Sequence, residues 1–144
     1  MKKVFADTNI MLDYLEDRQF TENSKLIFKM AKDGKFQMYA SLLSFVNIAY
    51  IRRKHTVDEI YNNLLALRQL FVVLPIDSVQ LDTALNQRIK DFEDNIQFQC
   101  AKAAGCDVIV TNNTKDFKEL QGVEVMSSED FLLDFFADET IDNE

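Results

Sequence analysis

Apolar residues follow two rhythms along this chain. Short runs dominated by them, Val4-Phe5-Ala6, Phe36 to Ala40, Phe71 to Leu74, Val108-Ile109-Val110 and Val123 to Met126, are too brief for helices and have the content of buried strands. Longer stretches between them repeat apolar residues every three or four positions and predict helices. The clearest carries Ile60, Leu64, Leu67 and Leu70 behind Thr56-Val57-Asp58-Glu59, which has the spacing of a capping box. A helical turn through Ile10, Met11 and Leu12 follows the first strand. Thr21 caps a helix bearing Leu26, Ile27, Phe28 and Met30, which the Asp33-Gly34 turn stops. Ser41 or Ser44 caps another that runs to about Arg53. Val79 to Ile89 reads as helix, Asp91 caps one that reaches about Ala104 and ends at Gly105, and Ser127-Ser128 lead into a last one through Phe131, Leu132, Phe135 and Phe136.

Strands that alternate with helices predict an α/β domain with a mainly parallel sheet, and ligands of such sheets sit beyond the carboxyl ends of the strands. Asp7 follows the first strand and Thr111-Asn112-Asn113 follows Val110, so two segments far apart in sequence deliver polar side chains to one sheet edge.

Composition narrows this picture. With 144 residues, 47% of them hydrophobic, the chain suffices for one sizeable core, and three glycines and one proline leave no linker. We therefore expect one domain over 1–137 and an acidic tail at 138–144, with no internal repeat. Lys2 and Lys3 precede a run too short for a secretory leader, and no stretch is apolar enough to span a bilayer, which predicts a cytoplasmic protein without membrane association. Cys100 and Cys106 read as reduced thiols, Cys100 buried on a helix.

The net charge of -8 at first opposes a polyanionic partner. Nine acids and no Lys or Arg follow Lys118, however, and residues 1–118 hold 16 basic and 15 acidic side chains, so the body of the domain is close to neutral. Arg52-Arg53-Lys54-His55 is its one basic run, open to two readings: a phosphate contact, or a solvated last helical turn favoured by the helix dipole. One histidine and two cysteines give neither a structural zinc site nor a nucleophilic triad. Phosphate-cradling glycine loops are absent, and Asn9 breaks the Asp-x-Asp of a strand-end phosphatase.

Four segments carry the remaining chemistry: Asp7-Thr8-Asn9, Ser44-x-x-Asn47, Asp91-Phe92-Glu93-Asp94, and Thr111-Asn112-Asn113-Thr114-Lys115-Asp116-Phe117. In this order and spacing they resemble the PIN domain family of nucleases, its VapC toxins included. The resemblance implies a three-layer α/β/α sandwich with a four- or five-stranded, mainly parallel sheet. It further implies a metal-dependent endoribonuclease that hydrolyses RNA phosphodiester bonds with Mg2+ or Mn2+, as the toxin of a toxin-antitoxin pair. The partners it implies are an RNA substrate, an antitoxin protein and a second copy in a homodimer. By their match to the family motif, Asp7 and Asp94 are the principal metal ligands and Asp116 an acid near the end of the site, while Thr111 and Asn113 orient water or ligand.

The chain departs from the family at Asn47, where a glutamate is usual. An amide oxygen approaches a cation but brings no charge, and this opens an alternative: a weakly active or inactive PIN-like module that binds RNA or protein. Simpler roles stand beside the functional ones. Asp7 also suits a helix cap, Asp91 reads as a cap, and Asp94 is either ligand or reciprocal cap partner. Asn47 is either a ligand or a satisfied polar group on a packed helix. Asp116 also suits a turn, with Phe117 in the core. Glu93 and His55 are expected in solvent, and Phe45, Phe92 and Phe98 in the core.

Overall fold

The computed structural model describes residues 1–142. Five parallel strands form one sheet in the order β3-β2-β1-β4-β5: β1 (Lys3–Ala6), β2 (Gln37–Ser41), β3 (Val72–Leu74), β4 (Val108–Val110) and β5 (Glu124–Met126). Helices α1 (Thr8–Leu15) and α2 (Thr21–Lys32) connect β1 to β2, α3 (Leu42–Ile51) and α4 (Val57–Leu70) connect β2 to β3, α5 (Ser78–Gln87) and α6 (Phe92–Ala103) carry the chain from one edge of the sheet past β2 and β1 to β4, and α7 (Ser128–Asp142) follows β5. A 3-10 turn over Thr114–Phe117 lies between β4 and β5.

The period-two alternation of strand side chains divides the interior into two cores. On one face Val4, Ala6, Met38, Ala40, Val108 and Val110 meet Ile27 and Phe28 of α2, Ile48 of α3, Leu67 of α4 and Phe131 of α7. On the other, Phe5, Tyr39 and Ile109 meet Phe98, Cys100 and Ala101 of α6, with Phe117 and Leu120. This is the three-layer α/β/α sandwich expected, its sheet parallel throughout. Strands covered on both faces must be apolar on both, which is why β1 and β4 read as continuous runs.

Local signals explain most boundaries. Thr56 and Glu59 form the capping box at the start of α4, and Asp77 and Gln80 form a second one, unforeseen, at α5. Ser41, not Ser44, caps α3, its hydroxyl accepting from the Ser44 backbone N–H at 3.2 Å. Gly34 (φ 81) and Gly105 (φ 70) supply the left-handed turns after α2 and α6.

Three expectations need correction. Thr21 is the first residue of α2 rather than its cap; its hydroxyl donates to the Glu16 carbonyl at 2.6 Å and accepts from Arg18 N at 2.8 Å, closing the preceding turn instead. Helix α5 stops at Gln87, two residues short of Ile89, because Arg88 turns left-handed (φ 54). Phe92 is exposed, in contrast to buried Phe98 and half-buried Phe45.

Of the acidic tail expected at 138–144, residues 138–142 continue α7, and Glu139 pairs with Lys35 at 3.4 Å. Residues 143 and 144 lie outside the described residues. Both cysteines are free and buried; burial above all pushes the Cys100 thiol up to about 12 and that of Cys106 up to about 11, which suits neither to nucleophilic work. Among the described residues no helix is long and apolar enough to cross a membrane.

Candidate metal centre

Adjacent β1 and β4 end together, and their carboxyl ends set Asp7 beside Thr111. Asp7 is both a cap and a wall of the cleft. Its Oδ1 accepts from Thr8 N at 2.8 Å at the start of α1, while Oδ2 accepts from the Thr111 hydroxyl at 2.8 Å and from Asn9 Nδ2 at 3.2 Å. Helix α6 begins across the cleft. Asp91 caps it, its Oδ1 accepting from Asp94 N at 2.9 Å, and this cap fixes the first turn that carries Glu93 and Asp94.

Asp7, Asn47, Asp94, Asn113 and Asp116 all line one cleft of about 300 Å³, together with Asp91 and Glu93. Thr111 lies behind this surface, fully buried, and meets the cleft residues through its hydroxyl, which donates to Asp7 and accepts from Asn9 Nδ2 at 3.1 Å and from the Asn113 N–H. Ligand oxygens of Asp7, Glu93 and Asp94 lie within 4.8 Å of one another, and so do those of Asp91, Asp94 and Asp116. Asp94 belongs to both sets.

Glu93 was expected in solvent, and the structure turns it inward. Its Oε1 accepts from Asn47 Nδ2 and from Gln97 Nε2, each at 3.0 Å. Gln97, also unforeseen, is fully buried: its amide donates to the Ser44 hydroxyl at 2.9 Å and the Thr8 hydroxyl at 3.3 Å, and its Oε1 accepts from Ser41 at 2.6 Å. One side chain thus ties the end of β2 and the starts of α1 and α3 to α6. The four-residue spacing of Glu93 and Gln97, which sets them on one helix face, was the available signal.

Burial, with the Glu93 charge next in weight, pushes the Asp7 carboxyl up to about 6 against the hydrogen bonds from Thr111 and Thr8; Asp91 adds a smaller push. Asp94 is driven well above the carboxylate range, by burial first and then by the charges of Asp7, Asp91 and Glu93. Among the described residues no Lys or Arg lines this cleft. A surplus of carboxylate oxygens without a cation of the chain's own fits a hard divalent ion, which prefers oxygen ligands and inverts such repulsion.

The basic run does not supply the missing charge. Arg52 is buried and pairs with Glu16 at 3.1 Å, Arg53 lies over the Tyr50 ring at 4.2 Å, and exposed His55 faces Glu59 at 3.3 Å. The lysines near the site come from elsewhere: Lys90, Lys115 and Lys118 line a second hollow, of about 420 Å³, that shares Asp91 and Asp116 with the cleft.

Comparison with known proteins places this arrangement in context. The family model described as PIN domain matches residues 3–115. Ribonuclease VapC1 of Aquifex aeolicus is 22% identical over 136 residues, covering 90% of this chain and 93% of that protein. DNA-bound VapBC from Salmonella typhimurium superposes with a TM-score of 0.67 at 18% identity, over 89% of this chain and 99% of that one. A toxin-antitoxin complex from Klebsiella pneumoniae gives 0.65 at 22% identity, over 87% and 97%.

Proposed function

Because this chain belongs to the PIN domain family, we propose that it is a divalent-metal-dependent endoribonuclease and the toxin of a toxin-antitoxin pair. The observation that carries the proposal is the convergence of Asp7, Asp94 and Asp116 in one cleft at the carboxyl end of a parallel sheet. A relative named as a ribonuclease supports the reaction, and likeness to toxin-antitoxin complexes supports an antitoxin partner. An enzyme with these partners would work in the cytoplasm.

Asp7, Asp94 and Asp116 would hold Mg2+ or Mn2+, with the Asn47 amide oxygen as a neutral donor. When bound, such an ion stabilises the charge that develops on a phosphodiester and activates water. The chain's own residues prepare the place. Thr111 and Asn9 fix Asp7 Oδ2 by hydrogen bonds, and exposed Asn113, at the rim, is placed to orient substrate or water. Lys90, Lys115 and Lys118, beside the acids, offer phosphates a neutralising surface that the net charge conceals.

Protein partners have a surface of their own. Leu42, Val46 and Tyr50 recur every four residues on α3, as do Val57, Tyr61 and Leu65 on α4, and all six are at least 55% exposed. Apolar stripes of this kind mark protein interfaces and suit a homodimer or a bound antitoxin. The second reading, a module that binds without cutting, rests on Asn47, which brings no charge to the cleft. An RNA digest with the purified chain separates the two: cleavage should need Mn2+ or Mg2+ and stop with EDTA. RNA left intact at millimolar Mn2+ and Mg2+ would favour the binding module.

A further inference from the structure

We propose that Glu93 supplies a further negative charge to the divalent ion, beside those of Asp7 and Asp94, set in place by the amide hydrogens of Asn47 and Gln97, so that α6 carries the charge that α3 lacks. This rests on the reading of the cleft as a cation site.

First, the ligand oxygens of Glu93, Asp7 and Asp94 already lie within 4.8 Å of one another, close enough for one small cation to contact all three. Second, Glu93 is held rather than loose. Two amide N–H groups from different helices converge on Oε1 at 3.0 Å each, and Gln97 is itself pinned by Ser41, Ser44 and Thr8 in a fully buried network. A glutamate bound only for solvent would gain little from such a setting, whereas a ligand must lose its rotamer freedom before the ion arrives.

Third, the polarity of the Asn47 contact is informative. Asn47 turns its N–H2 toward Glu93, a donor facing an acceptor, and so acts on this carboxylate as a positioning residue. A carboxylate at position 47 would meet Glu93 as a like charge at hydrogen-bond distance. The neutral amide on α3 and the acid on α6 therefore form a matched pair, in which only one side bears the charge.

The pair can be exchanged. Calorimetric titration with Mn2+ on the full chain, alongside melting curves with and without Mn2+, would compare the wild type, Glu93→Gln, Asn47→Ala and the double variant Glu93→Gln/Asn47→Glu. We expect Glu93→Gln to weaken Mn2+ binding at least tenfold and to shrink the Mn2+-induced rise in melting temperature. Asn47→Ala should weaken binding about tenfold, in the range seen when a partner that orients a ligand is removed. The double variant should recover most of the loss, because donor and acceptor change sides and the charge returns from α3. Glu93→Gln that melts as a folded protein and binds Mn2+ like the wild type would overturn the inference, and so would a double variant no better than the single one. If the wild type binds Mn2+ and cuts RNA while Glu93→Gln does both equally well, this inference alone falls. A wild type that neither binds Mn2+ nor cuts RNA ends the ribonuclease reading as well.

Discussion

Helix α1 has a buried aspartate at each end, and the two live in opposite electrostatic settings. Asp7 and Asp13 are equally buried, at 3% exposure. Asp13 pairs with Arg18 Nε at 3.3 Å and accepts from Asn112 Nδ2 at 3.0 Å, so a positive side chain of the protein answers its charge. Asp7 is met by hydroxyl, amide and backbone donors, with Glu93 and Asp94 beside it, and the charges of Glu93 and Asp91 push its carboxyl further up. Burial raises both carboxyls; at Asp13 Asn112 and Arg18 oppose the rise and Glu16 adds the smallest push, whereas at Asp7 the Glu93 charge ranks next after burial and only neutral hydrogen-bond donors, Thr111 and Thr8, oppose it. A buried acid that owns its cation holds the fold together. One surrounded by acids is poised for a cation from outside.

The largest effect that would break this contrast concerns catalysis. Asp94→Asn should reduce metal-dependent RNA cleavage to background while the protein stays folded, since it keeps the size of the side chain and removes charge from both acidic sets. Asp13→Ala should leave the cleavage rate per folded molecule near that of the wild type. A cleavage assay normalised to folded protein by circular dichroism reads both.

Stability should rank the two sites in reverse. Asp13→Ala leaves the Asn112 amide without its acceptor and should cost about 2 kcal/mol in urea unfolding. Little of this comes from Arg18, whose side chain is 42% exposed and already screened by water. Asp94→Asn in metal-free protein should be neutral or stabilising, because it relieves repulsion. A clear loss of stability there would mean that the acids are mutually satisfied without an ion.

The last expected effect, spread over several pH units, is on pH dependence. Asp7 rises from 3.8 to about 6 on folding, and Asp94 rises further, so between those values the native state holds protons that the unfolded chain has released. Metal-free stability should then be fully present near pH 4 and fall as pH rises through about 6 and beyond. Thermal melts with EDTA between pH 5 and 8 would show it. Asp94→Asn should flatten the slope, and a wild type that grows more stable over this interval would contradict the assignment.

These outcomes also bear on what the sequence could reveal. The strand runs, the Thr56-Glu59 capping box and the Asp91 cap were legible because each depends on residues within a few positions of one another. Asp7 and Thr111 were legible for another reason: both follow apolar runs, and the parallel-sheet rule brings such ends together without detailed packing. Glu93 was not. Its inward turn is decided by Asn47, 46 residues away, and by a Gln97 whose own partners lie on β2, α1 and α3. Arg52 misled in the same way, because the Glu16 that pairs with it lies 36 residues upstream. Side-chain direction at such positions is a property of the assembled layers. Residue type and spacing supply the candidates, and tertiary hydrogen bonds choose among them.

Mn2+ binding measured by calorimetry on the wild type, Asp13→Ala and Asp94→Asn under one set of conditions tests the cleft most directly. The wild type and Asp13→Ala should bind with the same affinity, and Asp94→Asn should lose binding. Equal binding by all three, or no binding by the wild type at millimolar Mn2+, would contradict the claim that the cleft of Asp7, Asp94 and Asp116 is a divalent-metal site.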